Sequence, residues 1–592
     1  MNCFQYPLDV KSLLRNKGSI KKELMRSNCE WIYKKIAILG GSTTNEITVQ
    51  LELFLLYYGI KADFYESDYG QYWQDAVFGN SDLEEFKPDL IYIHTSWRNI
   101  RQFPTVINTK EEVEDLVETE YRHFKEMWDA LEHRMHCPII QNNFDRPNYR
   151  LMGNRDIWDF RGRSNYISRL NQKFYSYAQI HDNFYINDLE FIAQDFGLTE
   201  WGNSRYWYMY KYAMCFNAIP YIADSIAKII KSIFGKNKKV LALDLDNTLW
   251  GGIVGDDGVE GIQIGQEVSK GQAFYEFQKY LKNLQQIGVV LTVNSKNDVE
   301  NALAGLNHPN GVLKPNDFVQ IKANWNPKDQ NLIEMANDLS LGIESFVFVD
   351  DNPAERELVS ARIPEIEVPK MDRVENYICI LDHGGFFETT VLSEEDIDKT
   401  KKYRAKTEAR QQMALFENYE EYLKSLRMKA VIDDFKPIYI QRIAQLTNKT
   451  NQFNLTTLRC SEDDIMEMQR NDKYLCLCAR LFDKFGDHGL VVVVVGEYIG
   501  IELHIRLFLM SCRVLKRGLE DMIMNVIANM AEKKAIKKMI GYYYPTAKNS
   551  MVKKFYSNMG FQKKSEDARG NTVWEIELGK YVSKKIFISD SE

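Results

Sequence analysis

The 592 residues carry 75 basic and 83 acidic side chains, a net charge of −8, and are 45% hydrophobic and 27% charged. One hydrophobic core seldom organises more than about 250–300 residues, so three domains are expected. The acidic balance argues against a general nucleic-acid binder, and no segment has the length and apolarity of a signal peptide or a membrane span, so no membrane partner is expected.

The nine cysteines are scattered, which fits a reduced, cytoplasmic protein. Cys476 and Cys478 alternate within an apolar strand pattern and read as core rather than as a metal site.

Residues 1–235 read as a small doubly wound unit. Ile36-Ala37-Ile38-Leu39 is a short buried strand that runs into Gly40-Gly41-Ser42-Thr43-Thr44-Asn45 and then a helix through Leu55. A second strand, Asp89 to Ile93, precedes His94-Thr95-Ser96-Trp97. A long helix over 110–136 sets Val113, Leu116, Val117, Tyr121, Phe124, Met127, Trp128 and Leu131 at helical spacing. A third strand, Pro138 to Ile140, leads to Gln141-Asn142-Asn143, and the alternation of strand and helix implies an α/β fold. Gly-Ser after the first strand, with Asn after a later one, resembles the SGNH esterases, whose fold is flavodoxin-like. That resemblance implies Ser42 as nucleophile, with Gly70 and Asn142 or Asn143 as oxyanion donors. A nucleophilic serine needs a base. The Asp-x-x-His that this family places near the domain's end is missing, since His181-Asp182 lacks the spacing and 201–205 contains no histidine. A binding or docking role is therefore expected, and Ser42 reads equally as a helix cap.

Residues 236–390 hold the stretch around which the chain is organised. Val240-Leu241-Ala242-Leu243 ends in Asp244-Leu245-Asp246-Asn247-Thr248, then Leu249-Trp250-Gly251-Gly252. A continuous apolar run reads as a strand buried on both faces, as in a parallel sheet, and ligands of such sheets sit at the carboxyl ends of strands. Residues i and i+2 share one side of a strand, so Asp244 and Asp246 can converge. Two carboxylates there suit Mg2+ together with a substrate phosphate; one can attack phosphorus and the other can shuttle protons. The plain alternative is two surface aspartates at a strand end. Gly251 to Gly258 reads as a hairpin flap, followed by a helix from about Lys270 to Ile287. Further buried strands are Val289 to Val293, ending in Asn294-Ser295-Lys296-Asn297; Phe318 to Ile321, leading to Lys328 at a helix start; and Ser345 to Val349, ending in Asp350-Asp351-Asn352-Pro353.

Four strands ending in these groups, in this order, resemble the haloacid dehalogenase (HAD) phosphohydrolases, and the continuation LWGGIVGDDG resembles the FkbH-like branch. The resemblance implies a Rossmann-like parallel sheet with Asp244 as nucleophile and Asp246 as general acid/base. It implies that Ser295 bonds phosphate, unless that serine merely caps a helix near Asp298, and that Lys328 neutralises the transferring group. Mg2+ would be held by Asp244, the main-chain carbonyl of Asp246 and Asp350, with Asn247, Thr248 and Asp351 in support. The gaps between the motifs leave no room for a large cap domain.

Residues 391–428 read as a helical connector, with Ser393 to Asp396 as a capping start, a polar run from Lys406 to Gln412, and solvated charges. In the last unit, 429–592, Thr447 to Thr457 is rich in amides and hydroxyls and reads as a turn-rich loop or a polar lining. The strand Ile501 to Leu509 ends in Arg513-Val514-Leu515-Lys516-Arg517-Gly518 before an amphipathic helix. Backbone N–H groups at a helix start, with arginine, suit a phosphate. This unit resembles the GNAT acyltransferases, although Lys516 stands where that family has glycine. By that resemblance Arg513, Arg517, Gly518, Asn549 and Tyr556 are the expected coenzyme A or phosphopantetheine contacts. FkbH-like proteins are associated with loading a glyceryl unit from 1,3-bisphosphoglycerate onto an acyl carrier protein, so the resemblance implies a phosphorylated small-molecule donor and a carrier-protein partner. The alternatives are a stand-alone phosphatase on a sugar or polyol phosphate in surface-polysaccharide assembly, and a binding scaffold.

Overall fold

The computed structural model describes residues 2–26, 31–392, 403–404, 419–484, 486–511, 514–515, 517–546 and 548–590. The capping start at Ser393, the polar run from Lys406, and Arg513 and Lys516 lie outside the described residues. The described chain forms three separate sheets and divides into two compact units, 1–237 with 379–391, and 238–378 with 392–592. The boundary read at 390 is therefore displaced: 379–391 belongs with the first unit, not with the segment before it.

The first unit has five parallel strands in the order β2-β1-β3-β4-β5. These are β1 (Ile32–Gly40), β2 (Ile60–Glu66), β3 (Leu90–His94), β4 (Ile139–Asn142) and β5 (Phe184–Asn187). The last five residues of β1 and all of β3 are buried, which is why they read as unbroken apolar runs. Helix α1 (Asn45–Tyr57) contributes Ile47, Leu51 and Phe54 to one face of the sheet. On the other face, α2 (Lys110–Met135) buries Val113, Val117, Phe124, Met127, Trp128 and Leu131 against Phe174 and Tyr177 of α3 (Arg163–Ala178). A capping box from Thr109 and Glu112 opens α2. Two further helices matter below, α4 (Ser204–Tyr210) and α5 (Ile219–Ile233). The returning segment 379–391 is bonded to α5: Ser232 Oγ donates to Glu388 O at 2.9 Å and lies 2.8 Å from Thr390 Oγ1, while Lys228 Nζ donates to His383 O.

The second unit contains a four-stranded parallel sheet, β8-β7-β6-β9. Its strands are β6 (Val240–Leu243), β7 (Val290–Ser295), β8 (Gln320–Ala323) and β9 (Phe346–Val349). Only α6 (Val254–Asp257) and α7 (Ser269–Gln286) lie between β6 and β7, and α8 (Val299–Leu306) with a short 3-10 turn between β7 and β8. No cap domain is inserted there. The expected hairpin flap is instead a single antiparallel bridge, Gly251 with Gln263, around the helical turn α6. The cause is local: the Asp257 carboxylate accepts the Ile253 N–H at 2.8 Å, and Gly252 turns at φ 94°, so the chain winds up before it can pair. Helices α9 (Lys328–Leu339) and α10 (Pro353–Arg362) complete this sheet, the latter with proline in its first turn.

The same unit holds an eight-stranded mixed sheet, β15-β16-β14-β13-β12-β11-β10-β17, in which β10 is Lys429–Asp434, β15 Gln562–Glu566, β16 Thr572–Glu577 and β17 Ser589–Asp590. The strands used below are β11 (Tyr474–Asp483), β12 (Gly486–Ile499), β13 (Glu502–Met510) and β14 (Lys538–Tyr543), with helices α11 (Ile440–Lys449), α12 (Glu462–Arg470) and α13 (Leu519–Lys533). Cys476 and Cys478 lie in the core with Ile443, Val493 and Leu507. Strands β13 and β14 pair in parallel only from Glu502–Lys538 to Ile505–Gly541. Beyond that point the segment 453–455 is stitched to both: Leu455 N donates to Phe508 O at 3.1 Å, Met510 N to Phe453 O at 2.9 Å, and Tyr544 N to Leu455 O at 2.8 Å. Among the described residues no helix is long and apolar enough to cross a membrane.

Candidate active site

Strand β6 is flanked by β7 and β9, and the residues after it turn sharply. Asp244 N donates to Val349 O at 2.9 Å, which carries the strand pairing one residue further. Asn247 then adopts φ 55°, a conformation asparagine tolerates better than most residues, and its side-chain oxygen accepts the Gly252 N–H at 3.0 Å. The turn sends the two aspartates into different surroundings. The Asp246 carboxylate is held by Trp250 Nε1 at 2.9 Å and Val254 N at 3.0 Å on one oxygen, and by Asn297 Nδ2 at 3.0 Å on the other. Burial, more than any neighbour, raises its pKa. Asp244 is 7% exposed; its Oδ2 lies 2.9 Å from Lys328 Nζ, while its Oδ1 has no hydrogen-bond partner.

Lys328, the first residue of α9, is 2% exposed and reaches both Asp244 and, at 2.5 Å, Asp350 Oδ2. Its main chain is fixed by Asn294, whose Nδ2 donates to Lys328 O at 3.0 Å, and Asn331 Nδ2 donates in turn to Asn294 Oδ1. Burial opposes the ammonium charge, but Asp244 and Asp350 outweigh it and hold its pKa above the ordinary value. At the end of β9, burial first and the Asp244 charge second push the Asp350 carboxyl up to about 6. Asp350 Oδ1 accepts Asn352 N, the Asp351 N–H donates to Thr248 Oγ1 at 3.2 Å, and Arg356 Nη1 donates to the carbonyls of Asp350 and Asp351, each at 2.6 Å.

Asp244, Asp350 and Asp351 each offer an oxygen within 4.8 Å of the others. Three carboxylates against one ammonium leave a surplus of negative charge in a site largely removed from water. Hard oxygen ligands in that balance fit Mg2+, and the unpaired Asp244 Oδ1 is the kind of group a cation satisfies. Asp351, read from the sequence only as support, stands in this cluster, whereas the Asp246 carboxylate is bonded by Trp250, Val254 and Asn297 and is not one of the three. Ser295, the last residue of β7, is 2% exposed; it does not cap α8, whose N-cap is Asp298. Sequence reading gave no role to Trp250 or Asn297, which hold Asp246, or to Asn331 and Arg356. Asn297 was within reach as the third residue of Ser-Lys-Asn; Trp250 and Arg356 bond residues four to six positions before them, and Asn331 acts through a contact distant in sequence.

In the first unit, Asn142 and Asn143 are not oxyanion donors. Asn142 Nδ2 donates to Thr95 O and faces His94 Nδ1, each at 3.1 Å, while Asn143 Nδ2 donates to Tyr175 OH at 2.8 Å and Asp188 Oδ1 at 2.6 Å. Gly70 instead donates its N–H to Gly40 O at 3.3 Å. Ser42 does not cap α1, which has Thr44 at its N-cap.

In the last unit, Arg517 is turned inward. Its Nη1 pairs with the fully buried Asp483 carboxylate, and lies 3.2 Å from His488 Nε2. Gly518, at φ 82°, precedes α13. Asn549 is fully buried, donating to Asn454 O and Tyr544 O at 2.9 Å each. Tyr556 packs on Gly541, where an added Cβ would lie 2.2 Å from its ring, and burial drives its hydroxyl pKa far up.

The family model described as FkbH, N-terminal domain, matches residues 35–231. The chain is similar to a crystal structure of the N-terminal part of a Bacteroides fragilis protein containing a phosphatase domain complexed with Mg, at 28% identity over 64% of this chain and 99% of that one, with a TM-score of 0.59. Also found were the ribosomal-protein-S18-alanine N-acetyltransferase of Escherichia coli, at 11% identity over 25% of this chain and 94% of that one with a TM-score of 0.21, and the PaiA N-acetyltransferase of Thermoplasma acidophilum in complex with coenzyme A, at 16% over 25% and 99% with a TM-score of 0.21. No curated protein matches the chain.

Proposed function

We propose that the second unit is a Mg2+-dependent phosphatase-type site in which Asp244 attacks phosphorus and Asp246 handles protons. The observation that carries this reading is the arrangement at the end of β6. One aspartate is clamped by a buried lysine with one oxygen unengaged, and a second, two residues on, is held apart by Trp250, Val254 and Asn297. Mg2+ held by Asp244 and Asp350, with Asp351 adjoining and the Asp246 main-chain carbonyl as a further ligand, would polarise the phosphoryl oxygens and offset their charge. Lys328 holds the Asp244 carboxylate in place and balances charge on the transferring group. Asp246, its pKa raised, is suited to give a proton to the leaving group and recover one from water. The similarity to a Mg-bound phosphatase domain supports the assignment.

The donor in this reading is a phosphorylated small molecule. The resemblance of the LWGGIVGDDG stretch to FkbH-like proteins, which the family-model match over 35–231 accompanies, favours a phosphoglyceryl donor with an acyl carrier protein as acceptor, and the lack of an inserted cap leaves room for a protein-borne group. A stand-alone phosphatase on a sugar or polyol phosphate is the second reading. It is favoured by the inward pairing of Arg517 Nη1 with Asp483 and by the structural bonding of Asn549, whose amide hydrogens go to Asn454 O and Tyr544 O.

Asp244→Asn preserves shape and removes the attacking charge, so release of phosphate should fall by orders of magnitude; near wild-type turnover in that variant would end the assignment. Chelation should abolish the activity and added Mg2+ restore it. Release stimulated by a phosphopantetheinylated carrier, and not by the unmodified carrier, separates the first reading from the second.

A further inference from the structure

The sheet of the first unit reverses its winding between β1 and β3, since β2 lies on one side of β1 and β3 to β5 on the other. Open α/β sheets bind ligands at such a point, outside the carboxyl ends of the strands. The two segments that leave β1 and β3 are tied together there. Gly41 N donates to His94 O at 2.8 Å, and Asn99 Nδ2 donates to Gly41 O at 2.8 Å. A Cβ on Gly41 would come 2.3 Å from Asn99 Nδ2, so this approach requires glycine. Helix α4 joins the same cluster: Thr43 Oγ1 donates to Tyr210 O at 2.6 Å, and the Arg98 guanidinium lies between the Trp97 and Trp207 rings, 4.5 and 4.4 Å from their centres.

Three polar atoms of these segments are buried without a hydrogen-bond partner: Ser42 Oγ, His94 Nε2 and Arg98 Nε. Ser42 is 3% exposed and His94 fully buried. The His94 ring is held through Nδ1, which lies 3.1 Å from Asn142 Nδ2 and 2.8 Å from Tyr92 OH, itself a donor to Asn142 Oδ1 at 3.1 Å. Full burial keeps the ring neutral, its pKa lowered to about 4. Ser42 Oγ and Arg98 Nε can both donate, and Arg98 adds a cation whose strongest acidic neighbour, Asp145, already accepts from Trp97 N and Trp201 Nε1. Buried polar groups without partners are costly, and a bound ligand is one of the few things that account for them.

We propose that the β1/β3 crevice of the first unit binds a small oxyanion, a carboxylate or a phosphate, through Ser42 and Arg98.

The test is hydrogen exchange on the full chain, with acetate and inorganic phosphate as separate probes, because exchange reports each segment independently of the site at Asp244. One or both anions should slow exchange in peptides covering 40–44 and 95–100 in the wild type, and phosphate alone or acetate alone identifies the group preferred. The effect should vanish in Ser42→Ala and fall at least tenfold in apparent affinity in Arg98→Lys, a variant that keeps the charge and so guards against a folding defect. No slowing with either anion at tens of millimolar, or slowing unchanged in both variants, would overturn the proposal.

Discussion

Asp244 and Asp246 are two residues apart and differ in what surrounds them. Lys328 holds the first, while burial raises the second, whose carboxylate is bonded by Trp250, Val254 and Asn297. If Asp246 supplies the leaving-group proton, turnover falls as pH rises through its pKa. Asp246→Asn should then lower turnover by about 10²–10⁴-fold and erase that alkaline limb; a pH–rate profile of both proteins checks this. Ser42 makes the opposite case. Without a positioned base it should stay unlabelled by a fluorophosphonate, and labelling that disappears in Ser42→Ala would reveal one. Asp145 has a consequence for stability. Full burial pushes its carboxyl up to about 6 from 3.8, so between those values the folded chain holds a proton that the unfolded chain has lost. Stability of the first unit should fall as pH rises through that window, by up to about 3 kcal/mol. Asp145→Asn should flatten the slope measured by hydrogen exchange in β1 and β3. The aspartate pairs and Lys328 were legible because each follows a buried strand or opens a helix. Asn331 was not, since nothing in its spacing announces a contact with Asn294 made only after the strands assemble, and Trp250 bonds Asp246 from four residues on through a turn whose geometry the pattern does not spell out.

At the level of elements, strands buried on both faces were the readable ones: β1, β3, β6, β7 and β9 are near-continuous apolar runs. Strand β2 went unread because Ile-Lys-Ala-Asp-Phe-Tyr-Glu is an edge strand with polar residues interspersed, and β5 because it lies at the opposite edge with its two central residues only partly buried. The amide-rich stretch read as a loop or polar lining proves to join β13 and β14 through 453–455. Asn549 secures that join by its bond to Asn454 O. Asn549→Ala should cost about 1–3 kcal/mol and speed exchange of the Leu455, Met510 and Tyr544 amides together. Unchanged exchange at those three positions would show that the join does not depend on Asn549.

Across the whole molecule, the α/β class is readable because strand and helix patterns alternate, whereas the division of the chain is not, because sequence gives no sign that a unit resumes after an interval. Residues 238–378 are an insertion between two parts of the first unit. During synthesis, the first 237 residues emerge without the segment that accepts from Lys228 and Ser232 through His383 O and Glu388 O. Helix α5 must wait for the intervening parallel sheet to be made before its last partners arrive, so maturation of the first unit is delayed by the length of its own insertion. A fragment ending at 237 should melt several degrees below one ending at 391 in that unit, and adding a peptide of residues 379–391 in trans should recover part of the difference; equal melting of the two fragments would show that the first 237 residues are sufficient.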